Sequence, residues 1–151
     1  MLANLTGRLV NPGQTRATVL GGGWVRTGDL GCLDHRGQLL FLGRIKDMLK
    51  VGGENVSPLE VEALLSTHPS VHLAQVVGRP SERYGEEPVA FVELIPGCAC
   101  TSAELIEYCA GNLASYKVPR EIRYVTSWPM SATKIQKFRL RQDLLAELGV
   151  S

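Results

Sequence analysis

From about residue 46 to its end, the chain alternates pairs of short β-like runs with segments of helical apolar spacing, and this alternation most restricts the fold. Gly52-Gly53 separates two short extended runs in Gly43–Val56, and Ser57-Pro58 follows as a helix start, with serine as N-cap and proline at the first helical position. Val61, Leu64 and Leu65 then fall at i, i+3 and i+4, and Pro69 closes the segment. Leu73 to Gly78 and Pro88 to Ile95 read as strands joined by a polar link, Arg79 to Glu87. Thr101 and Glu104 have the spacing of a capping box, ahead of a helix whose face carries Leu105, Ile106, Cys109 and Leu113. Ile122 to Val125 reads as a short strand, and Leu140, Leu144, Leu145 and Leu148 stripe a last helix. The pattern predicts an α+β domain: a short β-hairpin and a central, mostly antiparallel sheet flanked by helices. It contains no internal repeat.

Residues 1–23 are rich in Gly and Thr and lack a core pattern of their own. Trp24-Val-Arg-Thr reads as a strand entering a Gly28-Asp29 turn. Cys32 to Leu42 reads as a hairpin turning at Asp34 to Gly37. The chain is 44% hydrophobic and 21% charged, which suits a packed core. A net charge of +1 argues against a broad footprint for nucleic acid, so any phosphate contact must come from a local basic cluster. No apolar run reaches the length of a membrane span and the start lacks a signal-peptide layout, so the expected location is cytoplasmic. No metal site is expected. The Cys98-Ala-Cys100 pair has no partner pair at zinc spacing, and Pro69 spoils His68 and His72 as helical i,i+4 ligands. Cys32 and Cys109 sit in apolar stretches and read as small core or surface residues.

Three segments carry chemistry. In Thr27-Gly28-Asp29, a carboxylate on a tight turn can accept both hydrogen bonds of a ribose cis-diol. Alone, the segment is a plain turn. Gly43 to Asn55 places three cations (Arg44, Lys46 and Lys50) within seven positions, beside glycines that let backbone pass close to a ligand. Its bland reading is a hairpin with solvated lysines. In Pro129 to Lys137 a lysine, Lys134, follows a small-residue loop, a mount on which a compact ammonium can be carried to a phosphate. By itself it is a surface lysine.

In their order and spacing these segments resemble the ANL superfamily of adenylating enzymes, which comprises acyl-CoA synthetases, peptide-synthetase adenylation domains and luciferases. Trp24-Val-Arg-Thr-Gly-Asp-Leu-Gly is similar to the family's G-W-x-x-T-G-D segment, and Gly43 to Glu62 is similar to its hinge motif. His68-Pro-Ser-Val, Tyr84-Gly-Glu-Glu, Tyr116-Lys-Val-Pro and the Lys134 loop follow in register. The resemblance covers nearly the whole chain from Trp24. Two details depart from it: Thr133 stands where many relatives have glycine, and the Lys134 loop is one residue shorter.

The resemblance implies the carboxy-terminal part of an AMP-forming carboxylic acid–CoA ligase, with a fatty acid as the expected acid. Residues 1–45 would be the tail of the large adenylate-forming domain, and 46–151 the mobile C-terminal domain. Lys134 would be the adenylation lysine, Asp29 and Arg44 would hold the nucleotide, and Lys46 would be the hinge. Lys50, Gly52, Gly53 and Glu54 would form the loop facing CoA, with Tyr84 and Arg120 as further CoA contacts. ATP and CoA would be substrates, Mg2+ would be bound by residues outside this chain, and the main partner would be the enzyme's own N-terminal domain. The family's Ser/Thr/Gly-rich phosphate loop is not among these residues, so the isolated chain is expected to be inactive. Two other readings stay open: a stand-alone CoA- or protein-binding module without catalysis, and the tail of a peptide-synthetase adenylation domain. The Gly52-Gly-Glu-Asn wording disfavours the second.

Overall fold

The computed structural model describes residues 12–149. Among them, those up to Lys46 form one compact unit and those from Asp47 a second.

The first unit opens with a helix absent from the sequence-based expectation, α1 (Pro12–Thr18), in which proline occupies the tolerated first position. A 3-10 turn follows at Gly21–Gly23. The strand expected over Trp24–Thr27 does not form. Positive-φ glycines bracket the run at Gly23 and Gly28, and only Val25 bridges, to Val19. Pairing starts at β1 (Asp29–Leu33), which joins β2 (Leu39–Arg44) in an antiparallel hairpin with a bulge at Leu30/Gly31. The expected turn is present: one Asp34 carboxylate oxygen accepts from the backbone N–H of Arg36 and of Gln38, each at 2.8 Å. Leu33 and Leu39 are about 70% exposed (70% and 73%), and Phe41 is exposed as well, so this two-stranded ribbon has no core of its own.

The second unit begins with β3 (Leu49–Val51) and β4 (Glu54–Val56), paired around Gly52-Gly53, then α2 (Pro58–Leu65). Ser57 is buried with extended backbone ahead of Pro58, as the proline ring demands, but its hydroxyl makes no capping hydrogen bond. Next come β5 (Val71–Ser81) and β6 (Gly85–Leu94). The polar link expected at Arg79–Glu87 is mostly strand. Arg79 faces Glu87 in register and pairs with it at 3.1 Å, and the Ser81 hydroxyl donates to Glu87 at 3.0 Å. Opposed polar partners hold a ladder together as apolar ones do, so polarity did not mark a loop here. The chain closes with α3 (Ser102–Ala110), β7 (Glu121–Tyr124) and α4 (Lys137–Glu147).

The sheet runs β4-β3-β6-β5, and β7 also pairs with β6. Every pairing is antiparallel except β6 with β7. Because side chains alternate along a strand, β6 serves two cores. Ala90 and Val92 enter the cluster with Val61 and Leu65 of α2 and Leu105 and Cys109 of α3. Val89 and Phe91 enter a smaller cluster with Leu140 and Leu144 of α4. The α4 stripe is shorter than expected: Leu145 is half-buried and Leu148 exposed. The capping box on α3 is complete, Thr101 N–H donating to Glu104 at 2.7 Å and Glu104 N–H to Thr101 Oγ1 at 3.3 Å. The Thr101 N–H bond is the main reason the Glu104 carboxyl lies below its ordinary pKa. Burial pushes the Cys109 thiol up to about 11, which marks it as a packing residue rather than a reactive one.

With both sheet faces covered inside the second unit, residues 47–151 should fold without the rest. Hydrogen exchange on the isolated chain should show slow amides in β5, β6, α2 and α3 and fast ones across 12–46. Protection of the β1–β2 hairpin equal to that of β6 would contradict this.

Candidate functional site

In the first unit, register places Asp29 directly opposite Arg44, and the guanidinium Nε lies 3.2 Å from the Asp29 carboxylate. Two hydrogen bonds set the geometry around them: Asp29 N–H donates to Thr27 Oγ1 at 3.1 Å, and Ile45 N–H donates to Gly28 O at 2.9 Å. Gly28 has φ 76°, which a side chain rarely adopts, so the turn presenting Asp29 depends on glycine. Both side chains are exposed. An ionised carboxylate has about four acceptor positions, so the pair leaves capacity for a diol.

Lys46 lies in the 3-10 turn Ile45–Asp47, exposed, at the last residue of the first unit.

In the second unit the structure brings together three of the expected CoA-side elements. Gly52 (φ 60°) and Gly53 (φ 89°) make an exposed turn whose Gly52 N–H donates to Tyr84 O at 2.7 Å. A Cβ on Gly52 would stand 3.6 Å from the Tyr84 ring, so the site has room, and the positive φ is what requires glycine. The Arg120 guanidinium lies 5.7 Å from the centre of the Tyr84 ring, and Arg83 lies 5.0 Å from it. Tyr84 is half-buried while Arg120 and Arg83 are exposed: two cations attend one ring. Sequence spacing did not single out Arg83, since a cation beside an aromatic residue in a polar run carries no distinctive signal. Lys50 and Glu54 flank the turn, and the Lys50 ammonium bonds the side-chain carbonyl of Asn55. Glu86, also missed, receives Lys50 N–H at 2.9 Å and Arg141 of α4 at 2.8 Å. It thereby ties this turn to α4.

Lys134 stands on a separate, compact loop. Met130 bridges to Ile135, Ser131 N–H donates to Lys134 O at 2.8 Å, and Lys134 N–H donates to Ser131 Oγ at 3.2 Å. The loop is locally hydrogen-bonded. The Lys134 side chain is exposed and pairs with no carboxylate among the described residues. An open pocket of about 400 Å³ at the far end of β6, lined by Glu93, Ile95, Cys98 and Tyr124, includes none of these residues.

The second unit thus offers a backbone turn beside two cations and an aromatic ring and, separately, an exposed lysine on a loop of its own. Residues 60–134 match the AMP-binding enzyme C-terminal domain, and the chain belongs to that family. It is 44% identical over 138 residues to the medium-chain acyl-CoA ligase ACSF2 of Danio rerio, covering 91% of this chain and 23% of that protein. Among solved structures, ATP-bound MatB from Rhodopseudomonas palustris superposes with a TM-score of 0.81 at 34% identity, over 87% of this chain and 26% of that one. The anthranilate CoA ligase AuaEII, solved with anthranoyl-AMP, gives 0.81 at 40% identity over 91% and 28%. The chain thus spans about a quarter of the length of the proteins it matches. The fold is that of the C-terminal domain of ANL adenylating enzymes.

Proposed function

We propose that the chain supplies the C-terminal catalytic portion of an AMP-forming carboxylic acid–CoA ligase. The observation that carries this reading is the division of labour within the second unit. Lys134 stands exposed on one loop, whereas Gly52-Gly53, Tyr84 and Arg120 converge elsewhere.

In the first half-reaction the acid's carboxylate attacks the α-phosphorus of ATP, the bond to pyrophosphate breaks, and acyl-AMP remains. Charge builds between the incoming carboxylate and the phosphate, and the Lys134 ammonium offsets it. Asp29 accepts the ribose hydroxyls while Arg44 holds its carboxylate in place. In the second, CoA thiolate attacks the acyl carbon, and the bond to AMP breaks. Rotation about Lys46 exchanges Lys134 for the Gly52-Gly53 face, whose bare backbone leaves room for the pantetheine chain. Lys50 and Glu54 frame that face, and Tyr84 with Arg120 meets the adenine and phosphate end of CoA. Residues 1–45 belong, in this reading, to the large domain, whose surface covers the exposed apolar side chains of the β1–β2 hairpin. Mg2+ would accompany the nucleotide. Its ligands would lie outside this chain; among the described residues no group of three or more His, Cys, Asp or Glu could hold a metal ion.

The acid is taken to be a fatty acid, in line with the relative named as a medium-chain ligase. The cytoplasm is the location we propose.

The test is pyrophosphate and AMP release by the full-length enzyme across a panel of carboxylic acids. Pyrophosphate release should depend on the acid, AMP release should require CoA, and the 151-residue chain alone should release neither. A full-length protein that binds CoA yet releases no pyrophosphate with any acid would be a binding module instead. Transfer only to a carrier-protein thiol would make it a peptide-synthetase domain.

A further inference from the structure

The lysine loop ends where α4 begins, and that beginning is poorly secured by its own residues. Gln136, at the cap position, makes no side-chain capping bond, and its side-chain oxygen is buried without a partner. What holds the helix start is further away. Lys137, its first residue, sends its ammonium to Glu62 Oε1 at 2.5 Å, in a pair in which Glu62 is only 9% exposed at the side chain. The same Glu62 oxygen accepts the backbone N–H of Val76 at 2.7 Å.

The location explains the arrangement. β5 is the last strand of the sheet order, so a backbone N–H not used toward β6 faces the open edge. Glu62 of α2 covers the Val76 N–H there. Helices α2 and α4 pack into different clusters, to which Val76 and Val77 contribute separately, and Lys137 reaches Glu62 past this edge. One turn along α4, Arg141 is held by Glu86, whose other oxygen binds the backbone of β3. The Lys137–Glu62 contact is a charge-assisted hydrogen bond to a mostly buried acceptor, which makes it directional.

We propose that Glu62 is a positioning residue for the adenylation lysine: through Lys137 it fixes the start of α4, and with it the 131–136 loop that carries Lys134. This rests on the functional reading given above for Lys134. Glu62 touches no substrate. It sets where the Lys134 ammonium stands.

The experiment uses four variants of the full-length enzyme, Lys134→Ala among them, and one measurement on the chain. Lys137→Met keeps the apolar stem and removes the charge. Glu62→Gln keeps an acceptor for Val76 N–H and removes the charge. Both should slow acyl-AMP formation by about 10- to 100-fold, as a misplacement of order 1 Å does. Thioester formation from supplied acyl-AMP should change by less than about threefold, because Lys134 takes no part in it. Lys137→Arg should restore most of the first step. In the 151-residue chain, Glu62→Gln should quicken amide exchange at Ser131, Lys134 and Gln136 while Val89 to Val92 stay protected. Unchanged adenylation in both charge-removing variants, or equal losses in both half-reactions, would overturn the proposal. So would unaltered exchange of the loop amides. If instead Lys134→Ala leaves adenylation intact, the functional reading fails, and the exchange measurement still decides whether Glu62 orders the loop.

Discussion

Lys134→Ala in the full-length enzyme should lower acyl-AMP formation by about a hundredfold or more while leaving thioester formation from supplied acyl-AMP nearly unchanged. Loss of a single positioned charge that stabilises developing anionic character costs on the order of 10²–10³ in rate. Lys134 sits on a loop closed by its own backbone bonds, and its side chain is exposed, so truncation removes the ammonium without disturbing the fold. Lys46→Pro should do the reverse. Lys46 lies in the first turn of a 3-10 segment, where a missing N–H is tolerated, and proline fixes φ near −65°. A hinge frozen in the adenylating arrangement keeps the first step and blocks the second. Single-turnover assays of each half-reaction separate the two variants. A merely destabilising change damages both steps together, so equal losses in both steps for both variants would reject rotation about Lys46 as the way the two chemistries share one domain.

The largest stability effect is expected at Leu144→Ala, about 2–5 kcal/mol in urea unfolding of residues 47–151. Leu144 is fully buried, and its cluster contains only four other buried residues: Val77, Val89, Phe91 and Leu140. A cavity there would be lined by Val77, Val89 and Phe91 of the sheet and by Leu140 of α4 itself. Leu148→Ala, one turn on and 44% exposed, should change stability by no more than about 0.5 kcal/mol. The contrast separates burial from hydrophobicity, since the two leucines are chemically the same. A loss below about 1 kcal/mol at Leu144 would mean that α4 is not held by this cluster. Because α4 also carries the Lys134 loop, the destabilised variant should lose adenylation activity as its helix detaches.

The β1–β2 hairpin is the plainest case of sequence and structure giving complementary information. Its turn was legible because Asp34 and Gly37 have short-range reasons to be there: one oxygen accepting two backbone N–H groups, and φ of 75°. Its exposed apolar side chains were not readable as exposed. Alternation tells which residues share a face, and only the presence or absence of a covering layer tells whether that face is buried.

The sequence by itself determined what rests on contacts a few residues apart, together with motifs in a fixed order. The Gly52-Gly53 turn, the capping box on α3, the buried pair Val61 and Leu65, and the placement of Asp29, Arg44 and Lys134 in family segments all belong to that class. Tertiary structure alone decided what depends on partners distant in the chain. The polar run Arg79–Glu87 became strand because its charges face one another across a ladder, which no local pattern records. Among the described residues, Trp24–Thr27 makes only the Val19–Val25 bridge, between positive-φ glycines, and forms no strand. Strand β6 divides its side chains between two cores because helices from separate parts of the sequence cover both its faces. Glu62 reads locally as one more charge on a helix. It is buried, and holds Lys137, because the sheet ends at β5 and leaves a backbone N–H there to be satisfied.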